Sequence, residues 1–193
     1  MDAPDEASDE ELMLRYAAGE AGAFDRLYAR HRGGVFRYLL HHCGQRAAAE
    51  EMFQDVWLNL VKTRQAYVAS ARFASFLYRC AHNRLVDFYR AQGKFVELSS
   101  DADESLADTI DALVADPREE PVAQLTARQT TDQVRAALRR LPPPQREAFL
   151  LQQEAGMSLA DIAALTGVPA ETVKSRLRYA MGKLRSELAE LTT

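Results

Sequence analysis

The sequence predicts an all-α protein with two small helical domains joined by an acidic, flexible linker, the C-terminal domain being a helix-turn-helix. Apolar residues recur at helical spacing over most of the chain, and no comparable run alternates with the period of a strand. The middle of the chain is acidic and poor in aromatic residues. Near the C-terminus, a capping box, a glycine and a proline follow each other as in two helices around a tight turn. We place the domains at 1–93 and 125–193 and the linker at 94–124.

The N-terminal domain is predicted to contain three amphipathic helices. The first runs from about Ala21 to Cys43, and we expect the Gly33-Gly34 pair to bend it, since glycine costs about 1 kcal/mol in a helix interior. The second covers about 47–63 and the third covers 72–90. Their apolar stripes consist of Phe24, Leu27 and Tyr28; of Phe53, Val56, Trp57, Leu60 and Val61; and of Phe73, Phe76, Leu77, Cys80 and Ala81.

The second helix also has an acidic edge. Glu50, Glu51 and Asp55 lie beside Gln54 and the apolar stripe. Such an edge is suited to docking on a basic partner surface, where charges at the rim supply steering and specificity. Plain solvent exposure explains the same residues equally well, so both interpretations stay open at this point.

The third helix interleaves aromatic residues with arginines. This mixture is suited to single-stranded nucleic acid, because bases stack on aromatic rings while cations follow the phosphate backbone. A place in the core is the more common explanation for aromatic residues on an apolar stripe. Asn83 and Asp87 share the polar face, where Asp87 can pair with Arg84 or Arg90.

The C-terminal domain carries the most specific local pattern. A helix over 145–154 is predicted to end at Gly156, and Ser158 with Asp161 forms the capping box of a second helix that ends at Gly167. Pro169 then favours the start of a third helix. The apolar face of that helix holds Val173, Leu177, Ala180, Met181, Leu184 and Leu188, and its polar face holds Glu171, Thr172, Ser175, Arg178 and Tyr179, with Lys174 and Arg176 beside it.

A long helix with an aliphatic back, short polar side chains and flanking cations is typical of a recognition helix in the DNA major groove. Charge distribution agrees with a polyanion partner, although the net charge is −4. Without 1–11 and 97–120, the chain has 23 basic residues against 13 acidic ones. An ordinary solvated surface with an acidic linker is the alternative.

Several classes of protein are excluded. The longest stretch without Asp, Glu, Lys or Arg has nine residues, 162–170, whereas a membrane-spanning helix needs about 20. The two cysteines form no zinc motif, and the acidic N-terminus is unlike a secretion signal. The four histidines lack the partners of a hydrolase, and no phosphate-binding loop is present. We therefore expect a cytoplasmic protein without metal, cofactor or enzymatic activity.

Three blocks carry a resemblance to a known family: AEEMFQDVWLNL at 49–60, FASFLYRCAHNRLVDFYR at 73–90, and LPPPQREAFLLQQEAGMSLADIAALTGVPAETVKSRLRYAMGKLR at 141–185. In this order, they resemble the bacterial RNA polymerase sigma factors of the extracytoplasmic-function (ECF) group. The resemblance covers about 20–93 and 125–190. It implies an alternative sigma factor that binds core RNA polymerase and directs initiation at particular promoters.

The resemblance also implies site residues. Core polymerase is contacted at the clamp helices of its beta-prime subunit, with the beta subunit as a further partner. The implied docking residues are Glu50, Glu51, Gln54, Asp55 and Leu58. The minus-ten element is read partly as non-template single strand, by the loop 65–72 and the helix after it. The implied residues are Tyr67, Arg72, Tyr78, Asn83, Asp87 and Arg90. The residues for the minus-35 duplex are Glu171, Thr172, Lys174, Ser175, Arg176 and Arg178.

The family further implies an anti-sigma factor as a partner, commonly one at the membrane that holds the protein there until a signal releases it. The main alternative is a conventional helix-turn-helix repressor or activator that binds its operator without polymerase. It explains 141–191 equally well, but leaves the block at 49–60 and the aromatic-cationic helix without a role. A helical adaptor that does not touch DNA is a third interpretation.

Overall fold

The computed structural model describes residues 7–69, 72–93 and 133–190, and these residues form helices and short connections. Four α-helices make up the N-terminal domain: α1 (Asp9–Ala17), α2 (Ala21–Cys43), α3 (Arg46–Thr63) and α4 (Phe73–Ala91), with a short 3-10 helix at Arg64–Ala66. Four more make up the described part of the C-terminal domain: α5 (133–140), α6 (Pro143–Ala155), α7 (Leu159–Thr166) and α8 (Ala170–Glu190). The all-helical prediction is confirmed. The domain boundaries stay a prediction, and the linker 94–124 lies outside the described residues.

The N-terminal domain is a bundle around an apolar and aromatic core. α2 packs against α1, α3 and α4, and Leu27, Tyr38 and Leu39 of α2 are fully buried in that core. Trp57 of α3 contacts the rings of Phe24 and Tyr28 edge-on at 5.8 and 4.9 Å. These rings lie on the apolar stripes that the sequence predicts, so the helical spacing identifies the face that each helix buries.

α2 runs from Ala21 to Cys43 as predicted, through Gly33 and Gly34, and the bend expected at these glycines stays a prediction. The close approach of α4 explains the second glycine. A Cβ atom at Gly34 would lie 2.6 Å from the Tyr78 hydroxyl oxygen. One helix of the domain, α1, was not predicted; it begins with a capping box formed by Ser8 and Glu11 and buries Leu12 and Met13.

The C-terminal domain packs α8 against α6 and α7. Pro143 and Pro144 begin α6, because a missing N–H costs nothing in the first turn of a helix. Gly156 ends α6 in the left-handed region at φ 59°. The domain then lies directly on the N-terminal one, with α6 against α2 and α4, and a single apolar cluster runs through both.

Candidate nucleic-acid interface

The helix-turn-helix is formed by α7, the turn at Gly167 and α8. The Ser158 hydroxyl accepts the Asp161 N–H at 3.2 Å, and the Asp161 carboxylate accepts the Ser158 N–H at 3.2 Å, so the predicted capping box is present. Gly167 has φ 72° and donates its N–H to the Ala163 carbonyl at 2.9 Å. A side chain is strained at that φ, which explains why glycine makes this turn.

α8 has one buried and one exposed face. Val173 and Ala180 are fully buried, and Leu177 and Leu184 are nearly so. On the other side, Glu171, Lys174 and Arg178 are exposed, and Thr172, Ser175 and Arg176 are half-buried. Lys174 lies 3.6 Å from Glu171, and the Arg178 guanidinium lies over the Tyr179 ring at 5.2 Å. All six predicted minus-35 residues thus lie together on the part of α8 that the turn presents.

The predicted minus-ten residues divide into two groups. Arg72, Asn83, Asp87 and Arg90 are exposed, and Arg90 lies 3.7 Å from Asp87. Arg84, which the sequence offered as another partner for Asp87, instead donates to Asp55 at 2.8 Å.

Tyr67 and Tyr78 form the second group, and both are buried. Tyr78 is 0% exposed and Tyr67 is 8% exposed. In this arrangement neither ring has an exposed face on which a base can stack, and their predicted contact with DNA stays a prediction. Tyr67 packs on Phe73 and Phe76, and burial raises the pKa of the Tyr78 hydroxyl.

The predicted docking residues form one surface of α3, which we call the docking face: Glu50, Glu51, Gln54, Asp55 and Leu58. Leu58 is 53% exposed, a large exposed fraction for a leucine, and lies one turn after Gln54 and Asp55. Glu50 is paired with Arg46 at 2.8 Å, and Asp55 is paired with Arg84 at 2.6 Å. Glu51 and Gln54 are exposed. The acidic edge therefore faces outward and has an exposed apolar side chain at its C-terminal end.

The junction between the domains contains a buried carboxylate. Glu147 of α6 is 3% exposed, and its Oε1 accepts the Tyr38 hydroxyl at 2.6 Å and lies 2.9 Å from His82 Nδ1. Its Oε2 lies 2.8 Å from His42 Nε2, at an angle unsuited to a hydrogen bond, so this contact is mainly electrostatic. Burial raises the pKa of Glu147, but the charge of His42 and the contacts with His42 and His82 outweigh it and lower the pKa overall.

Three further contacts between the domains lie beside Glu147. The Arg37 guanidinium donates two hydrogen bonds to the Glu154 carboxylate, at 2.8 and 2.7 Å. The Tyr78 hydroxyl donates to the Glu154 carbonyl at 3.0 Å, and Arg72 donates to the Gly156 carbonyl at 2.8 Å. Local sequence patterns do not predict this junction, because its contacts join residues at least 65 positions apart in the chain.

A cavity of about 500 Å³ lies between α4 and the C-terminal domain. Asn83, Asp87 and Arg90 line it on one side, and Arg176 lines it on the other. Residues predicted for two different promoter elements therefore face a single cavity. The two surfaces predicted to bind DNA therefore lie close together in this arrangement.

We expect the contact between the domains to weaken as the pH falls from 6.5 towards 4. Burial lowers the pKa of His41 to about 4; Glu154 raises it, and Arg135, His42 and Arg139 lower it. We expect the pKa of His41 to return towards its usual value of about 6.5 when the domains separate, so the neutral form favours the closed arrangement, in which α6 packs on α2 and α4. The contribution of neutral His41 to closure is complete above pH 6.5 and is lost as the pH falls. The equilibrium constant for closure decreases by at most about tenfold per pH unit.

The distance between fluorophores placed on the two domains measures this equilibrium between pH 7.5 and 5. The wild-type chain should open progressively, whereas His41→Gln should change much less. Glu147 contributes little in this window, because its lowered pKa keeps the carboxylate ionised throughout it. Equal pH dependence in the two proteins would contradict the role given to His41.

Within the described residues, no group of His, Cys, Asp and Glu side chains is arranged to hold a metal ion, and no helix is long and apolar enough to cross a membrane. A helix-turn-helix with an exposed polar and cationic face, next to a second helical domain with an acidic docking face, defines a two-domain DNA-binding transcription protein. Comparisons with known proteins identify its family.

Residues 131–184 match Sigma-70, region 4, and residues 27–95 match Sigma-70 region 2. The ECF RNA polymerase sigma factor SigM of Mycobacterium tuberculosis (strain H37Rv) is 31% identical over 189 residues, covering 97% of this chain and 88% of SigM. The RNA polymerase sigma factor CarQ of Myxococcus xanthus is 31% identical over 179 residues, covering 93% of this chain and 97% of CarQ. The chain belongs to the ECF RNA polymerase sigma factors.

Solved structures show the same fold. CnrH in complex with the cytosolic domain of CnrY has a TM-score of 0.65 at 22% identity, covering 95% of this chain and 99% of CnrH. The sigma factor RpoE in complex with the anti-sigma factor NepR from Bartonella quintana has a TM-score of 0.62 at 21% identity, covering 86% and 96%.

The predicted family is thus confirmed. The chain is an alternative sigma factor, a transcription regulator that binds core RNA polymerase and directs promoter-specific initiation. The conventional repressor or activator is excluded as the main interpretation, because such a protein has no counterpart of region 2.

Proposed function

We propose that this sigma factor selects promoters with two surfaces, one in each domain. The exposed face of α8, backed by a buried aliphatic face and presented by the turn at Gly167, is the observation that supports this proposal most strongly. Glu171, Thr172 and Ser175 contact base edges of the minus-35 element. Lys174, Arg176 and Arg178 contact its phosphates.

The second surface reads the minus-ten element. Arg72, Asn83, Asp87 and Arg90 lie on or just before α4, next to the loop 65–72 that receives a base flipped from the non-template strand. Unstacking that base costs a few kcal/mol, which the pocket contacts and the remaining holoenzyme interface offset. The exposed positions of these four side chains support the role, and the paired Asp87 and Arg90 leave both a hydrogen-bond acceptor and a cation at the surface.

The docking face of α3 binds the clamp helices of the beta-prime subunit. Its exposed leucine supplies apolar area to bury, and its acidic residues supply orientation and association rate. The two intramolecular pairs at Arg46 and Arg84 keep the carboxylates of Glu50 and Asp55 in defined positions.

Engagement of both promoter elements requires the domains to separate. The minus-ten and minus-35 elements are about 25 base pairs apart, which is roughly 85 Å along B-DNA. In the closed arrangement, Asp87 and Arg176 line the same cavity of about 500 Å³. The closed arrangement therefore belongs to the free protein, and binding to polymerase and promoter favours the open one.

The phosphate contacts are tested by the salt dependence of holoenzyme binding to a promoter duplex. Lys174→Ala should reduce the magnitude of the slope of log K against log salt by about 0.9, the value for one phosphate contact. Lys183→Ala is the matched control, because Lys183 lies further along α8 and donates to the Arg140 carbonyl at 3.0 Å. An unchanged slope in Lys174→Ala would exclude this contact.

We also infer that the protein acts in the cytoplasm and that an anti-sigma factor binds it. The structure of RpoE contains a partner of this kind, and the exposed Leu58 on the docking face offers a surface for one here. An antagonist that covers the docking face should compete with core polymerase, and an affinity measurement with both proteins present tests this expectation.

A further inference from the structure

α1 lies outside both family matches, since region 2 begins at residue 27. It is nevertheless firmly attached to the domain. The Asp9 carboxylate contacts His31 Nε2 at 2.6 Å and accepts from Arg30 at 2.7 Å, both on α2. Leu12 and Met13 are 0% exposed. α1 is therefore a fixed part of the structure from which a side chain can hold a neighbouring segment.

Glu10 makes such a contact with the first residue of α4. Its Oε1 accepts the backbone N–H of Phe73 at 2.6 Å, across 63 positions of the chain. The first N–H groups of a helix have no partner within the helix, and the N-cap residue, Arg72, provides no side-chain cap. A carboxylate at this place satisfies one of these groups and also lies at the positive end of the helix dipole.

Arg64, just before the N-terminal end of the loop 65–72, also contacts α1. The Arg64 guanidinium lies over the Tyr16 ring at 5.7 Å and donates to the Val61 carbonyl at 2.8 Å. Tyr67 is buried against Phe73 at the start of α4. The residues that enter and leave the loop are thus both held by one short helix.

We propose that Glu10 is a positioning residue for promoter reading: by capping α4, it fixes where that helix begins and so holds Arg72, just before it, in position for the minus-ten element. This inference rests on the proposed role of the loop. Glu10 itself does not touch DNA. Its effect is on the choice between bases. When one end of the loop is loosened, the binding free energies of different bases at the loop differ less from each other.

The test is transcription in vitro by holoenzyme from a set of promoters with every single-base change in the minus-ten element. Glu10→Ala should reduce the ratio between preferred and disfavoured bases at the loop position by about tenfold, with unchanged affinity for core polymerase. Glu10→Gln keeps an oxygen acceptor and should retain most of the ratio. Glu20→Ala is the control, because Glu20 pairs with Arg15 at 2.7 Å and does not contact the loop.

A purely structural role for Glu10 would lower transcription from all promoters by one factor and leave the ratios unchanged, which would overturn the proposal. An equal loss of discrimination in Glu10→Gln and Glu10→Ala would also overturn it, since the hydrogen bond would then not be responsible. If the wild-type chain itself showed no base preference in the minus-ten element, the assignment of the loop would be wrong. The two failures are therefore distinguishable.

Discussion

We expect the Leu58→Glu variant to bind core RNA polymerase at least tenfold more weakly than the wild-type chain. Leu58 is 53% exposed in the free protein and is the apolar residue of the docking face. Burial of a leucine side chain contributes about 1.5–3 kcal/mol, and every 1.4 kcal/mol changes a dissociation constant tenfold. The introduced carboxylate would lose this contribution and would also have to be desolvated.

Titration of labelled polymerase with each chain measures the affinity. Leu14→Glu provides a matched control, because Leu14 is 47% exposed on α1, away from α3. The control should bind like the wild-type chain, and the thermal stability of both variants should remain close to normal, since neither leucine is in the core. Equal affinity of Leu58→Glu and Leu14→Glu for polymerase would show that α3 is not the docking helix.

The second large effect is expected for Glu147→Ala, which should open the contact between the domains. Loss of Glu147 leaves the buried Tyr38 hydroxyl without its acceptor and His42 and His82 without their carboxylate. Removal of one partner from a buried charged network costs about 3–5 kcal/mol. The closed arrangement carries this cost, whereas the separated domains expose the same groups to water.

Opening has two measurable consequences. The radius of gyration from small-angle scattering should increase, and the free chain should bind a minus-35 duplex at least tenfold more tightly, because a larger fraction of molecules presents α8. Arg37→Ala should act in the same direction without removing a buried side chain, since Arg37 is largely exposed and pairs with Glu154. Glu187→Ala, which breaks a pair with Arg140 inside the C-terminal domain, should leave both quantities unchanged. Unchanged scattering and duplex affinity in Glu147→Ala and Arg37→Ala would contradict the closed arrangement.

Local patterns predicted the local structure well. The capping box at Ser158 and Asp161 and the glycine at 167 depend on residues within a few positions of each other, so the sequence carries them directly. The same signal was present at Ser8 and Glu11, but the run of acidic residues around it was interpreted as charge and not as the start of a helix. α1, and with it Glu10, was missed for this reason.

Long-range contacts could not be predicted in the same way. Glu147 looks like an ordinary polar residue of an amphipathic helix, and its partners lie 109 and 65 positions away. The predicted contact of Tyr78 with DNA stays a prediction. The apolar stripe of α4 predicted that its aromatic residues belong to the core, and Tyr78 is fully buried. Its burial under the C-terminal domain depends on packing between domains, which hydrophobic spacing within one helix does not report.

The central claim is that this chain gives core RNA polymerase its choice of promoter through surfaces in both domains. Transcription in vitro with bacterial core polymerase, this chain and a fragmented genomic library, followed by sequencing of transcript starts, tests it most directly. We predict discrete starts that appear only with the chain and that share a minus-ten and a minus-35 element upstream. The absence of such starts, together with tight binding of the free chain to particular duplexes, would contradict the claim and indicate a protein that acts through α8 alone.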